Sequence, residues 1–145
     1  MRVMAVDYGD ARTGIAVSDE SASLVGEAWV IHEKSQAAVV SAIVAHAGSR
    51  GVRAIIVGFP KNMNGTIGPR ASISEQFAEH LRSSCGIEVV LWDERLTTMS
   101  AHRILSDAGR YGKKRKKAVD AVAASLILES YLRYMKHGAG PDSSG

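Results

Sequence analysis

Residues Ala54-Ile55-Ile56-Val57 form an unbroken apolar run that stops at Gly58. A run this short with no polar alternation reads as a strand buried on both faces, the pattern of a parallel sheet covered by helices on either side. The flanking segments agree. Gln36 to Ala47 carries Val39, Val40, Ile43, Val44 and Ala47 at helical spacing, and the stretch from about Arg70 to Arg82 does the same with Ile73, Phe77, Ala78 and Leu81. Val89-Val90-Leu91-Trp92 supplies a further strand. Upstream, Val3 to Tyr8 and Thr13 to Ser18 are separated by the turn-rich Gly9-Asp10-Ala11-Arg12, which predicts an antiparallel hairpin, and Ala28 to Ile31 predicts a third strand. Thr97 or Thr98 is placed to cap a helix. Val119 to Met135 predicts a long final helix, with Val119, Val122, Ala123, Leu126 and Ile127 at helical spacing. The expected architecture is α/β: a mixed five-stranded sheet, antiparallel at its start, with βαβ units behind it and helices flanking it.

At 145 residues the chain is expected to form one domain over residues 1–136, with the polar 137–145 as a disordered tail. Cys85 is the sole cysteine, which excludes an internal disulfide and the paired cysteines of structural zinc. Asp7 interrupts the first apolar run before a signal core or membrane span could form, so a cytoplasmic protein is expected, with no membrane partner. The net charge of +3 is local in origin. Six of the 18 basic residues, Arg110, Lys113, Lys114, Arg115, Lys116 and Lys117, lie close together, leaving 12 elsewhere against 15 acids. Such a patch suits a polyanion, although a solvated charged loop would also account for it.

Three acids stand where acids are costly. Asp7 shares a strand face with Val3 and Ala5, where burying an ionised carboxylate requires compensation by a cation or a backbone turn. Asp93-Glu94-Arg95 closes the fifth strand, at the end where ligands collect in open α/β sheets. Adjacent strand residues point to opposite faces, so one of the two acids can share a face with Asp7. Glu94 is favoured for its reach and Asp93 is the alternative, the other serving as a solvated acid or as a partner of Arg95. Asp120 lies on a stripe with Ala123, Ala124 and Ile127, although a helix-capping role suits it as well. Convergence of Asp7, Glu94 and Asp120 would make an oxygen-rich site for Mg²⁺ or Mn²⁺. Two such ions roughly 4 Å apart hydrolyse phosphodiesters by activating a water and stabilising the leaving oxygen. Lys113 to Lys117, with Arg12 and Arg95, would hold phosphates. Lys61, Asn62 and Asn64, in the loop after Gly58, would contact sugar or phosphate unless that loop is an ordinary strand-to-helix connection.

The segments Asp7-Tyr8-Gly9-Asp10-Ala11-Arg12-Thr13-Gly14-Ile15-Ala16-Val17-Ser18-Asp19, Val57-Gly58-Phe59-Pro60 with Asn62-Met63-Asn64-Gly65-Thr66, Asp93-Glu94-Arg95-Leu96-Thr97-Thr98 and Lys116-Lys117-Ala118-Val119-Asp120-Ala121-Val122-Ala123-Ala124 together resemble the YqgF (RuvX) family. The resemblance covers nearly the whole chain except its tail. It implies a ribonuclease H-like fold related to Holliday junction resolvases, and a nuclease that matures the 5′ end of small-subunit ribosomal RNA, with the ribosome as a partner. It also implies that Asp7, one acid of the Asp93-Glu94 pair and Asp120 bind the metal. In the related resolvases the second acid follows the first βα crossover. Here that place holds Gly58-Phe59-Pro60, and the candidate acid comes from the next strand.

Cleavage of branched DNA is the alternative activity, since one metal site would hydrolyse either backbone. A non-catalytic nucleic-acid-binding factor is the alternative from another class. The Asp-x-Gly turn of Asp7 to Gly9 also occurs in actin-like phosphotransferases, but those need two large lobes. No H-E-x-x-H or G-x-S-x-G motif is present.

Overall fold

The computed structural model describes residues 1–62, 64–97 and 114–136, the side chains of 96–97 and 114–120 excepted. Five strands form one sheet: β1 (Arg2–Asp7), β2 (Thr13–Ser18), β3 (Val25–Ile31), β4 (Val52–Phe59) and β5 (Glu88–Asp93). Their order is β3-β2-β1-β4-β5. β1 and β2 are antiparallel, as are β2 and β3, whereas β4 runs parallel to both β1 and β5. The mixed sheet and the opening hairpin are those expected. β3 begins earlier than Ala28, because Val25, Gly26 and Glu27 lie on a largely exposed edge strand whose side chains carry no burial pattern to read.

Helices α1 (Gln36–Arg50) and α2 (Pro69–Ser84) lie on one face of the sheet, and α3 (Lys114–Lys136) lies on the other. The Ser35 side chain caps α1 by accepting from the Ala38 amide, and Gly51 ends it in the left-handed conformation. Pro69 opens α2, where its missing N–H costs no helical hydrogen bond. α3 begins before the expected Val119: residues 114–117 of the basic run form its first turn rather than a preceding loop. Lys and Arg are good helix formers, so no breaker separates them from the apolar stripe. Asp120 therefore falls in the second turn and does not cap the helix, whose first turn holds no acid. Beyond the 3-10 turn Glu94–Thr97, the expected helix after Thr97 or Thr98, Arg110, Lys113 and the 137–145 tail lie outside the described residues.

Alternation along β1 and β4 divides the core. Met4, Val6, Ile55 and Val57 pack with Val39, Ile43, Phe77 and Leu81 of α1 and α2. Val3, Ala5, Ala16, Ala54 and Ile56 meet Ala124, Ile127, Leu128 and Leu132 of α3. The second interface is built on alanines, which let the helix approach the sheet closely. Asp7 and Gly58 continue the Val3-Ala5 and Ala54-Ile56 alternations, which brings both to the α3 side of the sheet at the C-terminal ends of their strands.

Candidate active site

Asp7 ends β1, and the turn after it is held rigidly. A side chain at Gly9 would collide with the Arg12 carbonyl oxygen at 2.2 Å, so glycine is required for the close backbone approach. The Gly9 amide donates to Thr13 Oγ1 at 3.4 Å, and the Tyr8 ring stacks on Phe77 with centroids 4.1 Å apart. Arg70, from the first turn of α2, donates to the Tyr8 carbonyl at 2.6 Å and to Asp10 Oδ1 at 3.1 Å.

The second acid arrives from β5. Val90 and Trp92 face α3, and Glu94 continues that alternation, while Asp93 points the other way. Asp93 is engaged by Arg95 through Nε at 2.9 Å and Nη2 at 2.6 Å, which holds its carboxyl below the usual range. Glu94 is partly buried above Gly58. Burial, and after it the charge of Asp7, pushes its carboxyl from 4.5 up to about 7; Arg70 opposes the rise and Asp93 adds to it. Of the two alternatives at this strand end, Glu94 is the acid brought to Asp7, and Asp93 is the partner of Arg95.

Asp7 and Glu94 are thus brought together from the ends of β1 and β5 across the intervening β4, and the raised proton affinity of Glu94 reflects its burial and, after it, the charge of Asp7. An oxygen-only, like-charged pair of this kind fits a hard divalent cation. The described residues contain no cluster of three or more His, Cys, Asp or Glu groups able to hold a metal ion; the Asp120 side chain is outside them. The backbone sets Asp120 one turn before Ala124, a residue of the helix face packed on the sheet.

The loop after β4 is held by hydrogen bonds of its own backbone and side chains, among them Asn62 N–H to the Thr66 carbonyl at 3.0 Å and Gly65 N–H to the Asn62 carbonyl at 2.8 Å. Asn62 donates through its amide to Thr66 Oγ1 at 2.9 Å, and Asn64 Oδ1 accepts from the Thr66 amide at 3.1 Å and from its hydroxyl at 2.7 Å. Both carboxamides therefore help shape the turn, and both residues are exposed. Lys61 rests over the Phe59 ring at 5.6 Å. Arg95 is committed to Asp93, so its charge is largely spent within the chain. Arg70 is the functional candidate that sequence reasoning missed. Its one signal was a cation in the first turn of a helix, where the dipole disfavours positive charge.

A family model described as RuvX, Holliday junction resolvase, matches residues 1–134. A protein of Halothermothrix orenii named "Putative pre-16S rRNA nuclease" is 43% identical over 140 residues, covering 95% of this chain and all of that protein. A protein of the same name from Geobacillus thermodenitrificans is 46% identical over 134 residues, covering 91% of this chain and 97% of its own length. Among solved structures, Thermus thermophilus RuvC in complex with a Holliday junction superposes with a TM-score of 0.63 at 13% identity, covering 93% of this chain and 96% of that one. The fowlpox virus resolvase bound to junction DNA gives 0.60 at 11% identity, covering 93% and 99%. These likenesses establish the expected ribonuclease H-like fold.

Proposed function

The chain belongs to the RuvX family and is a nuclease acting on phosphodiester bonds, and from that premise we propose that it matures the 5′ end of the 16S ribosomal RNA precursor, in the cytoplasm and on the assembling ribosome, by divalent-cation-dependent hydrolysis. The observation that carries the catalytic part is the Asp7–Glu94 pair, two carboxylates brought together from the ends of β1 and β5 on either side of β4, one with its proton affinity raised by burial and by the other. The ribosomal substrate is supported by relatives 43 to 46% identical over nearly their full length that bear that name.

Asp7 and Glu94 would hold Mg²⁺ or Mn²⁺, with Asp120 of α3 as a third oxygen donor, and a pair of such ions would suit the two-metal scheme. When bound, such a cation neutralises charge on the scissile phosphate and lowers the pKa of a water nucleophile. The chain's own part is positioning. The Gly9 turn and the Arg70 contacts fix the backbone that carries Asp7, and Glu94 releases its proton as the site takes up positive charge. Lys113 to Lys117 would attract the phosphate backbone without reading sequence, and Arg12 would add to that grip. Arg70, 43% exposed at its side chain, would face the same strand. Lys61 stands at the loop entrance.

The experiment is cleavage of precursor 16S RNA and of four-way-junction DNA in Mg²⁺, Mn²⁺ or EDTA, with Asp7→Asn and Glu94→Gln as controls. Metal-dependent cutting of the RNA, lost in both variants, is expected. Cutting of the junction alone would assign the branched-DNA activity instead, and binding without metal-dependent cutting would make the protein a binding factor.

A further inference from the structure

A glycine inside a central strand needs a reason. Gly58 has no side chain to pack, and glycine weakens strands through its freedom in the unfolded chain. β4 is flanked on both sides, by β1 and β5. Among the described glycines Gly51 and Gly65 take positive φ, but Gly58 does not, so its backbone would admit any residue. What a side chain would meet here is the ends of two neighbouring side chains, one of which would have to give way. A methyl carbon at residue 58 would lie 2.9 Å from Glu94 Oε2, 3.0 Å from Glu94 Cδ and 2.7 Å from Ile127 Cδ1.

We propose that Gly58 is a positioning residue, whose missing side chain forms the seat in the sheet where the Glu94 carboxylate lies, so that an acid carried by β5 reaches across β4 to the end of β1. The row of residues shows how. Gly58 pairs with Trp92 on β5, and Val57 pairs with Val6 on β1, so Asp7 stands one step on, beside Gly58. All three belong to the α3 face. Trp92 flanks the seat on the β5 side and Ile127 of α3 closes it from above, and the Glu94 carboxylate lies in the space over residue 58. The acid that β4 itself does not supply is thereby supplied from the neighbouring strand. This rests on the reading of Asp7 and Glu94 as the metal-holding pair.

The test separates the seat from general packing by working in an Ile127→Val background, which removes the Cδ1 atom and leaves Glu94 as the group in conflict. Three quantities are read in Ile127→Val with and without Gly58→Ala: Mn²⁺ affinity by electron paramagnetic resonance, cleavage rate, and the metal-free titration of the Glu94 carboxyl by ¹³C NMR, assigned with Glu94→Gln. Adding Gly58→Ala is expected to weaken Mn²⁺ at least tenfold, to slow cleavage at least 100-fold, and to return Glu94 toward an ordinary carboxylate titration as it is expelled to solvent. Affinity and rate within twofold of the background, or an unmoved Glu94 titration, would overturn the proposal. If the doubly substituted protein does not fold, adding Glu94→Ala decides: recovery of folding on emptying the seat supports it, and continued unfolding refutes it. Should Glu94→Gln alone keep full cleavage and Mn²⁺ affinity, the metal-site reading fails, whereas the seat is still judged by the Glu94 titration in the Gly58 variants.

Discussion

Replacing Glu94 by Gln should make the metal-free protein more stable as it makes the enzyme inactive. The carboxyl ionises at about 7 in the folded chain against 4.5 when unperturbed, because folding buries it beside Asp7. Below pH 4.5 it is protonated in both states and costs nothing. Between 4.5 and about 7 the unfolded chain ionises first, so stability falls as pH rises, and above about 7 the penalty is complete. A shift of this size corresponds to about 3 kcal/mol at the plateau, most of which accrues between about pH 5 and about pH 8. Titrating groups remote from Glu94 contribute equally to wild type and variant, so the difference between the two reports this carboxyl together with its coupling to Asp7. Urea unfolding in EDTA at the two pH values is the assay. The variant's advantage should grow by about 2 to 3 kcal/mol from the lower pH to the higher. An advantage that is absent, or independent of pH, would refute the claim that folding forces two acids together here.

The same linkage makes Mn²⁺ affinity fall as pH drops below about 7, approaching tenfold per pH unit, which a binding isotherm at several pH values would check. Arg70→Ala removes a cation that opposes the rise, so Glu94 should titrate higher still by ¹³C NMR, and cleavage should slow by about one to two orders of magnitude. Leu128→Ala empties a fully buried position under α3 and should cost about 2 to 5 kcal/mol in chemical denaturation. Replacing residues Lys113 to Lys117 by Ala should weaken RNA binding and flatten its dependence on salt, measured as the slope of log affinity against log salt.

Much of this molecule is legible in one dimension because strands and helices bury residues at fixed periods. The unbroken run Ala54 to Val57 can be covered only from both sides, and the alternation through Val3, Ala5 and Asp7 already put an acid on a buried face. Strand parity also divided Asp93 from Glu94, since neighbours on a strand cannot share a face. Which parity met α3 was not legible, because that depends on where a helix far along the chain packs. The edge strand β3 was underestimated for the opposite reason: exposure removes the pattern that reading requires. Arg70 was missed because its contacts with Tyr8 and Asp10 span about sixty residues and leave no local trace. Gly58 was visible as the end of a run, yet its role depends on Glu94 and Ile127 arriving from two other elements. The layers, the sheet and the acids available follow from residue order alone, since periodicity is a local property. The tertiary structure decided which acids meet and which cations brace them, because those depend on distances between elements that only packing can set.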